Sequence, residues 1–87
     1  MEIDTQKIDD TVLALLYLTR FEEQGAVGAW KGHDWDALNR LHDKGMISNP
    51  RSKAKSVVFS EEGAKRAKRL FQELFRKRSV GRRGTGA

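Results

Sequence analysis

Five residues, His33, Asp34, Asp36, His42 and Asp43, are of the right types for metal ligation or acid–base work. Their spacing argues against both. The two histidines are nine positions apart, which on a helix places them on opposite sides. Neither an i,i+4 histidine pair nor a Cys/His module is present. "GAVGAWKG" is glycine-rich but lacks the Lys-Ser/Thr that a phosphate-binding loop requires, and no nucleophile elbow occurs. With one tyrosine, no cysteine and no evident pair of buried carboxylates, the expectation is a non-enzymatic protein without metal or cofactor.

The other chemistry is cationic. Arg51, Lys53 and Lys55 fall within five residues of a turn-rich connector, where they could follow a phosphate backbone or enter a minor groove. Asn39, Arg40 and Lys44 lie on a segment of helical pattern just before it, and Asn and Arg are suitable base readers. Arg76, Lys77 and Arg78, with Arg82 and Arg83 beyond, could act as a loose basic arm. Each set has a plainer role as well. Charges on a short exposed strand edge discourage pairing with other chains, and lone polar residues on a helix are usually solvated.

The charge is unevenly distributed. Residues 1–50 carry five Lys/Arg against nine Asp/Glu, whereas residues 51–87 carry twelve against three. The net of +5 therefore combines −4 with +9, which points to a polyanion for the second half or to head-to-tail self-attraction.

Positioning these residues falls to a few short elements. "DTQKIDDTVLALLYLTRFEEQ" predicts a helix over 4–24, capped by Asp4 or Thr5 and stopped at Gly25. Its apolar stripe, Ile8, Val12, Leu15 and Leu16 with Leu13 and Leu18, is broad enough to suggest a homodimer through this helix. Residues 25–32 predict a loop or short edge strand, with Trp30 as a core or lid residue. Asp34 caps a second helix ending at Lys44-Gly45, with Trp35, Leu38 and Leu41 inward and Arg40, Asp43 and Lys44 outward. Met46–Ser48 and Ser56–Phe59 predict a β-hairpin around Pro50, and Ser60 caps a helix striped with Ala64, Ala67, Leu70, Phe71, Leu74 and Phe75. One domain over 1–76 is expected, with a disordered basic tail over 77–87.

"LNRLHDKGMI", the basic connector and "VVFSEEGAKRAKRLFQEL" together resemble the second half of a winged-helix domain, over about residues 34–75. That resemblance implies a mostly helical α+β fold in which helix, loop, helix, β-hairpin wing and helix follow in order. It also implies nucleic-acid binding, with double-stranded DNA the natural partner and a regulatory role in view. The short, glycine-rich "GAVGAWKGH" leaves no supporting helix before the reader helix, and Asp36 and Asp43 would repel phosphate. An accessory or inhibitor module that binds protein through the same scaffold is therefore the alternative. The whole chain is also similar to a family of small uncharacterised bacterial proteins, through the "LALLYL" stretch, Ala29–Ile47 and Lys53–Gly63; that resemblance implies no activity.

The lack of cysteines suits a reducing compartment, and the acidic amino terminus differs from a secretory signal. The apolar run Val12–Leu18 is too short to span a bilayer. The expectation is a cytoplasmic protein without a membrane partner.

Overall fold

The structure, a computed structural model, describes residues 1–77. Three helices and a three-stranded antiparallel sheet follow in the order α1 (Thr5–Leu18), β1 (Phe21–Glu23), β2 (Ala26–Trp30), α2 (Trp35–Asp43), β3 (Ser56–Val58) and α3 (Glu61–Phe75). The fold is therefore α+β, as expected. Arg78, Arg82, Arg83 and the rest of the proposed tail beyond Lys77 lie outside the described residues.

Helix α1 starts where the sequence indicates, with the Asp4 side chain accepting from the Lys7 amide. It ends earlier than expected, at Leu18, with Thr19 as C-cap. The stretch predicted as its last turns is instead β1. Gln24 and Gly25 both adopt positive φ (54° and 81°), the pair of left-handed conformations that a type I′ two-residue turn demands. β1 thus folds back antiparallel on β2, with Glu23 opposite Ala26 and Phe21 opposite Gly28. This hairpin also corrects the expectation for residues 25–32. β2 is the central strand, since β3 pairs with its other side through Ala29 opposite Val57 and Trp30 opposite Ser56.

The hairpin expected between α2 and α3 is reduced to one strand. Ile47 makes a single bridge to Phe59, and Ser48 donates its amide to the Val58 carbonyl, but residues 49–55 are turns and bends. Pro50 cannot donate to a ladder, and its ring is fully buried, so the chain turns inward there rather than running along β3.

The core is formed by Val12, Leu13, Ala14 and Leu16 of α1, Ala29 and Val57 of the sheet, Ala37, Leu38 and Leu41 of α2, Ile47, Phe59, and Ala67 and Leu70 of α3. Helix α1 is central, packing against α3, α2 and β2. Val12, Leu13 and Leu16 of its apolar stripe are thereby used within one chain, while Ile8 (36%) and Leu18 (56%) stay at the surface. Trp35, expected inward, is 48% exposed, and Trp30, expected as core or lid, is 59% exposed and so is not a core residue. Leu74 and Phe75 of the α3 stripe are also about half exposed.

Helices α2 and α3 are built as their caps specify. Asp34 accepts from the Ala37 amide, and Gly45 follows α2 at φ 79°. Ser60 Oγ accepts from the Gly63 amide and donates to the Gly45 carbonyl, fixing the start of α3 on the turn that ends α2. Gly63 lies so close to the Met46 carbonyl that no other side chain fits.

Candidate nucleic-acid interface

Residues 49–55 stand beside α2. Arg51 Nε donates to Asn39 Oδ1 at 3.2 Å, so the connector and the expected reader helix form one surface. The connector is held from several sides. Asn49 Oδ1 accepts from the Arg51 amide, and the Asn49 carbonyl accepts from the Ser52 amide, closing a tight turn. Lys31, at the end of β2, reaches across with its ammonium to the carbonyls of Pro50 (2.5 Å) and Ser52 (2.8 Å). Its own amide donates to the Lys55 carbonyl. His42 Nδ1 lies 3.0 Å from the Ile47 carbonyl, tying the entry of the connector to α2.

The expected site residues separate into two groups. Arg51, Lys53 and Lys55 are exposed, and none makes an ion pair among the described residues. Asn39 is half-buried at the edge of the same surface. Arg76 and Lys77 are exposed at the end of α3, and Arg78 lies outside the described residues.

Arg40 and Lys44 do not point simply outward. Both turn onto Asp9 of α1, whose side chain has no solvent exposure. Arg40 donates through Nε (3.0 and 2.9 Å) and Nη2 (2.8 Å), a fork across both carboxylate oxygens. Lys44 adds a bond to Oδ2 at 3.0 Å. Burial pushes the Asp9 carboxyl up, and the hydrogen bonds and charges of Arg40 and Lys44 more than reverse it, so the group sits below its ordinary value. The Asp9 hydrogen bond raises Arg40 in turn. The network continues through Gln6, which accepts from Lys44 and donates to Asp10, to Arg66 of α3 at 3.1 Å from Asp10. These cations therefore tie α2 and α3 to α1.

Asp9, Lys31 and the Trp30 surface were not singled out from sequence. Asp9 did leave a signal: it falls on the same helical face as Val12, Leu13 and Leu16, an acidic residue in register with the core. Lys31 left none, because its partners are backbone carbonyls nineteen and twenty-one residues away. Among the described residues, no group of three or more His, Asp or Glu is placed to hold a metal, and no helix is long and apolar enough to cross a membrane.

Comparisons with known proteins agree with the bacterial resemblance. The chain is 52% identical over 75 residues to the uncharacterized protein y4hR of Sinorhizobium fredii, covering 86% of this chain and 97% of that one. No solved structure matches. Residues 4–77 match the model of a family described as "Domain of unknown function (DUF6429)", and with almost the whole described fold inside that match the chain belongs to this family.

Proposed function

We propose that this protein binds nucleic acid, duplex DNA in the first instance, through residues 49–55 and the adjoining face of α2. The observation that carries this is the Arg51–Asn39 contact. It sets a cationic connector directly against a short helix, so that both can meet one polyanionic surface. Arg51 commits one of its five donors to Asn39 and keeps its terminal nitrogens for phosphate. Lys53 and Lys55 supply two further positive charges without an internal carboxylate partner among the described residues. Asn39 keeps its amide donors for a base edge. Arg76, Lys77 and Arg78 would add backbone contacts of the kind that hold without reading sequence. Arg40 and Lys44 act one step back, holding α2 in place through Asp9.

Electrophoretic shift of a generic duplex at two salt concentrations tests this. If Arg51, Lys53 and Lys55 each neutralise one phosphate, affinity falls about 40-fold between roughly 50 and 200 mM salt. Lys53→Ala should flatten that dependence. Absence of salt-sensitive binding to any DNA or RNA overturns the proposal.

A protein partner is the second reading, and the far ends of α1 and α3 favour it. Phe71 and Phe75 stack at 5.5 Å, Tyr17 packs on Phe71 at 5.5 Å, and Leu18, Leu74 and Phe75 remain about half exposed beside them. Truncating Leu74 and Phe75 would then abolish recovery of one partner from nuclease-treated extract while leaving DNA affinity unchanged.

A further inference from the structure

The outer face of the sheet carries a second feature, which rests on the nucleic-acid reading above. Strand alternation turns Val27, Ala29 and Val57 toward the core, and Phe21, Gly28, Trp30 and Val58 outward. Among the described elements, no helix covers that outer face: Trp30 is 59% and Val58 42% exposed. Gly28 lies beneath Phe21, and the Phe21 and Trp30 rings pack at 5.2 Å, tilted by 44°. One face of the indole is thus braced by a neighbouring ring while the side chain as a whole stays open to solvent.

The cations lie close to it. Trp30 is directly opposite Ser56, the residue after Lys55, and Lys55 accepts a backbone bond from Lys31, the residue after Trp30. Lys55, the last residue of the connector that carries Arg51 and Lys53, therefore adjoins the Trp30 end of β2 along the backbone. Trp35 is also half exposed, with the Lys31 ammonium 5.9 Å from its ring centre, but Asp34 and Asp36 flank it. Trp30 has no such acidic neighbours in sequence, and the nearest acid on its face of the sheet, Glu23, is at the far end of the hairpin.

We infer that Trp30, braced by Phe21, is a stacking platform for an unpaired base whose phosphates run along Lys55, Lys53 and Arg51. An exposed, rigid aromatic ring at the edge of a cationic track is what an unpaired strand requires, since every base offers a π-face and every linkage a negative charge. A duplex keeps its bases stacked internally and can use only the cationic track.

The test uses the full chain carrying Trp35→Phe, which leaves Trp30 as the sole tryptophan. A thymidine oligomer of about ten nucleotides is titrated against a closed hairpin duplex, reading indole emission and fluorescence anisotropy. Trp30 emission should be quenched by the single strand and nearly unchanged by the hairpin. In the otherwise unaltered chain, Trp30→Ala should weaken single-strand binding about 5- to 150-fold, and hairpin binding less than about twofold. Trp30→Phe should recover most of that loss. Should Trp30→Ala fail to fold, the quenching comparison in the Trp35→Phe chain decides alone. Hairpin binding without single-strand quenching overturns the stacking platform and leaves the cationic surface standing, whereas failure to bind either overturns both. A change in sedimentation on Trp30→Ala without a change in single-strand affinity would assign the face to a second copy of the chain and also overturn it.

Discussion

Arg40→Ala separates a positioning role from a DNA-reading one. The Asp9 side chain has no solvent exposure, and three of its four hydrogen bonds come from Arg40. Removing that guanidinium leaves a buried carboxylate with Lys44 alone. Stranding one partner of a buried ion pair costs about 3–5 kcal/mol, and the surviving Lys44 bond places Asp9 near the lower end. A domain of this length has only about 4–13 kcal/mol in total, so the loss is a large fraction of the whole. Read as a thermal midpoint followed by circular dichroism, about 3 kcal/mol corresponds to a drop of roughly 12–24 °C. Asp9→Asn should be milder, because Arg40 and Lys44 are each about a third exposed and can be rehydrated. The pH dependence follows from the same geometry. With the Asp9 carboxyl below its ordinary 3.8, the folded chain binds that proton less readily than the unfolded chain. Its stabilisation is therefore complete above the unfolded value and lost as pH falls through the lowered one. Without Arg40 much of what lowers the carboxyl is gone, so the difference between folded and unfolded proton affinity shrinks and acid should cost the Arg40→Ala chain less stability than it costs the parent. An Arg40→Ala chain that melts within a few degrees of the parent but loses DNA affinity would refute this reasoning and make Arg40 a reader.

Gly63→Ala should destabilise by about 3 kcal/mol or more, opposite to the gain of roughly 0.5–1 kcal/mol that Ala normally brings to a helix, because its methyl would overlap the Met46 carbonyl; urea midpoints check the sign. Gly28→Ala meets the Val57 carbonyl at 2.9 Å and the movable Phe21 ring at 3.4 Å, and should cost less. Lys31→Met removes two bonds from the 49–55 connector and should raise amide exchange there, notably at Ser52, while α3 amides keep their protection. Arg51→Ala with Lys53→Ala should reduce the salt slope of duplex binding by about 2 without altering preference among sequences, as loss of two phosphate contacts requires.

Helices α2 and α3 were legible because their ends are written in single residues. Asp34 and Ser60 cap where they should, and Gly45 stops α2 in the left-handed conformation that favours glycine. The end of α1 was not legible. "YLTRFEEQ" keeps helix-compatible residues, and the turn that breaks it uses Gln24 at positive φ, where Asn or Asp would have been the recognisable signal. The central place of "AVGAW" is hidden for the same reason, because its partner strand β1 lies in a stretch of helix-compatible residues. The expected wing is shorter than its residues suggest, for another reason. Met46–Ser48 has strand-forming residues, but burial of Pro50 and the Lys31 bonds draw the connector toward α2 after a single bridge. Of the proposed site, the exposed cations were readable from composition. The commitment of Arg40 and Lys44 to Asp9 was not, since it depends on a contact thirty-one to thirty-five residues away.

The two halves of the chain use their charges differently, and the difference bears on function. In residues 1–50, four of the five cations serve the fold: Arg40 and Lys44 neutralise Asp9, Lys31 holds connector carbonyls, and Arg20 bonds the Tyr17 carbonyl and lies over its ring. Among the described residues after position 50, Arg66 is the one cation in an ion pair, with Asp10. Among the described residues, intramolecular ion pairing therefore engages one of the cations after position 50. Asp9 is enclosed and Asp10 engaged by Arg66, while Glu2, Asp4, Glu22, Glu23, Asp34, Asp36 and Asp43 stay exposed on the first half. Solubility alone would be served by charge spread evenly over the surface. Here Arg51, Lys53 and Lys55 are instead gathered on a connector that Lys31, Pro50 and Asn39 hold in place, and the mutual repulsion of these like charges is what the proposed polyanion contact would offset.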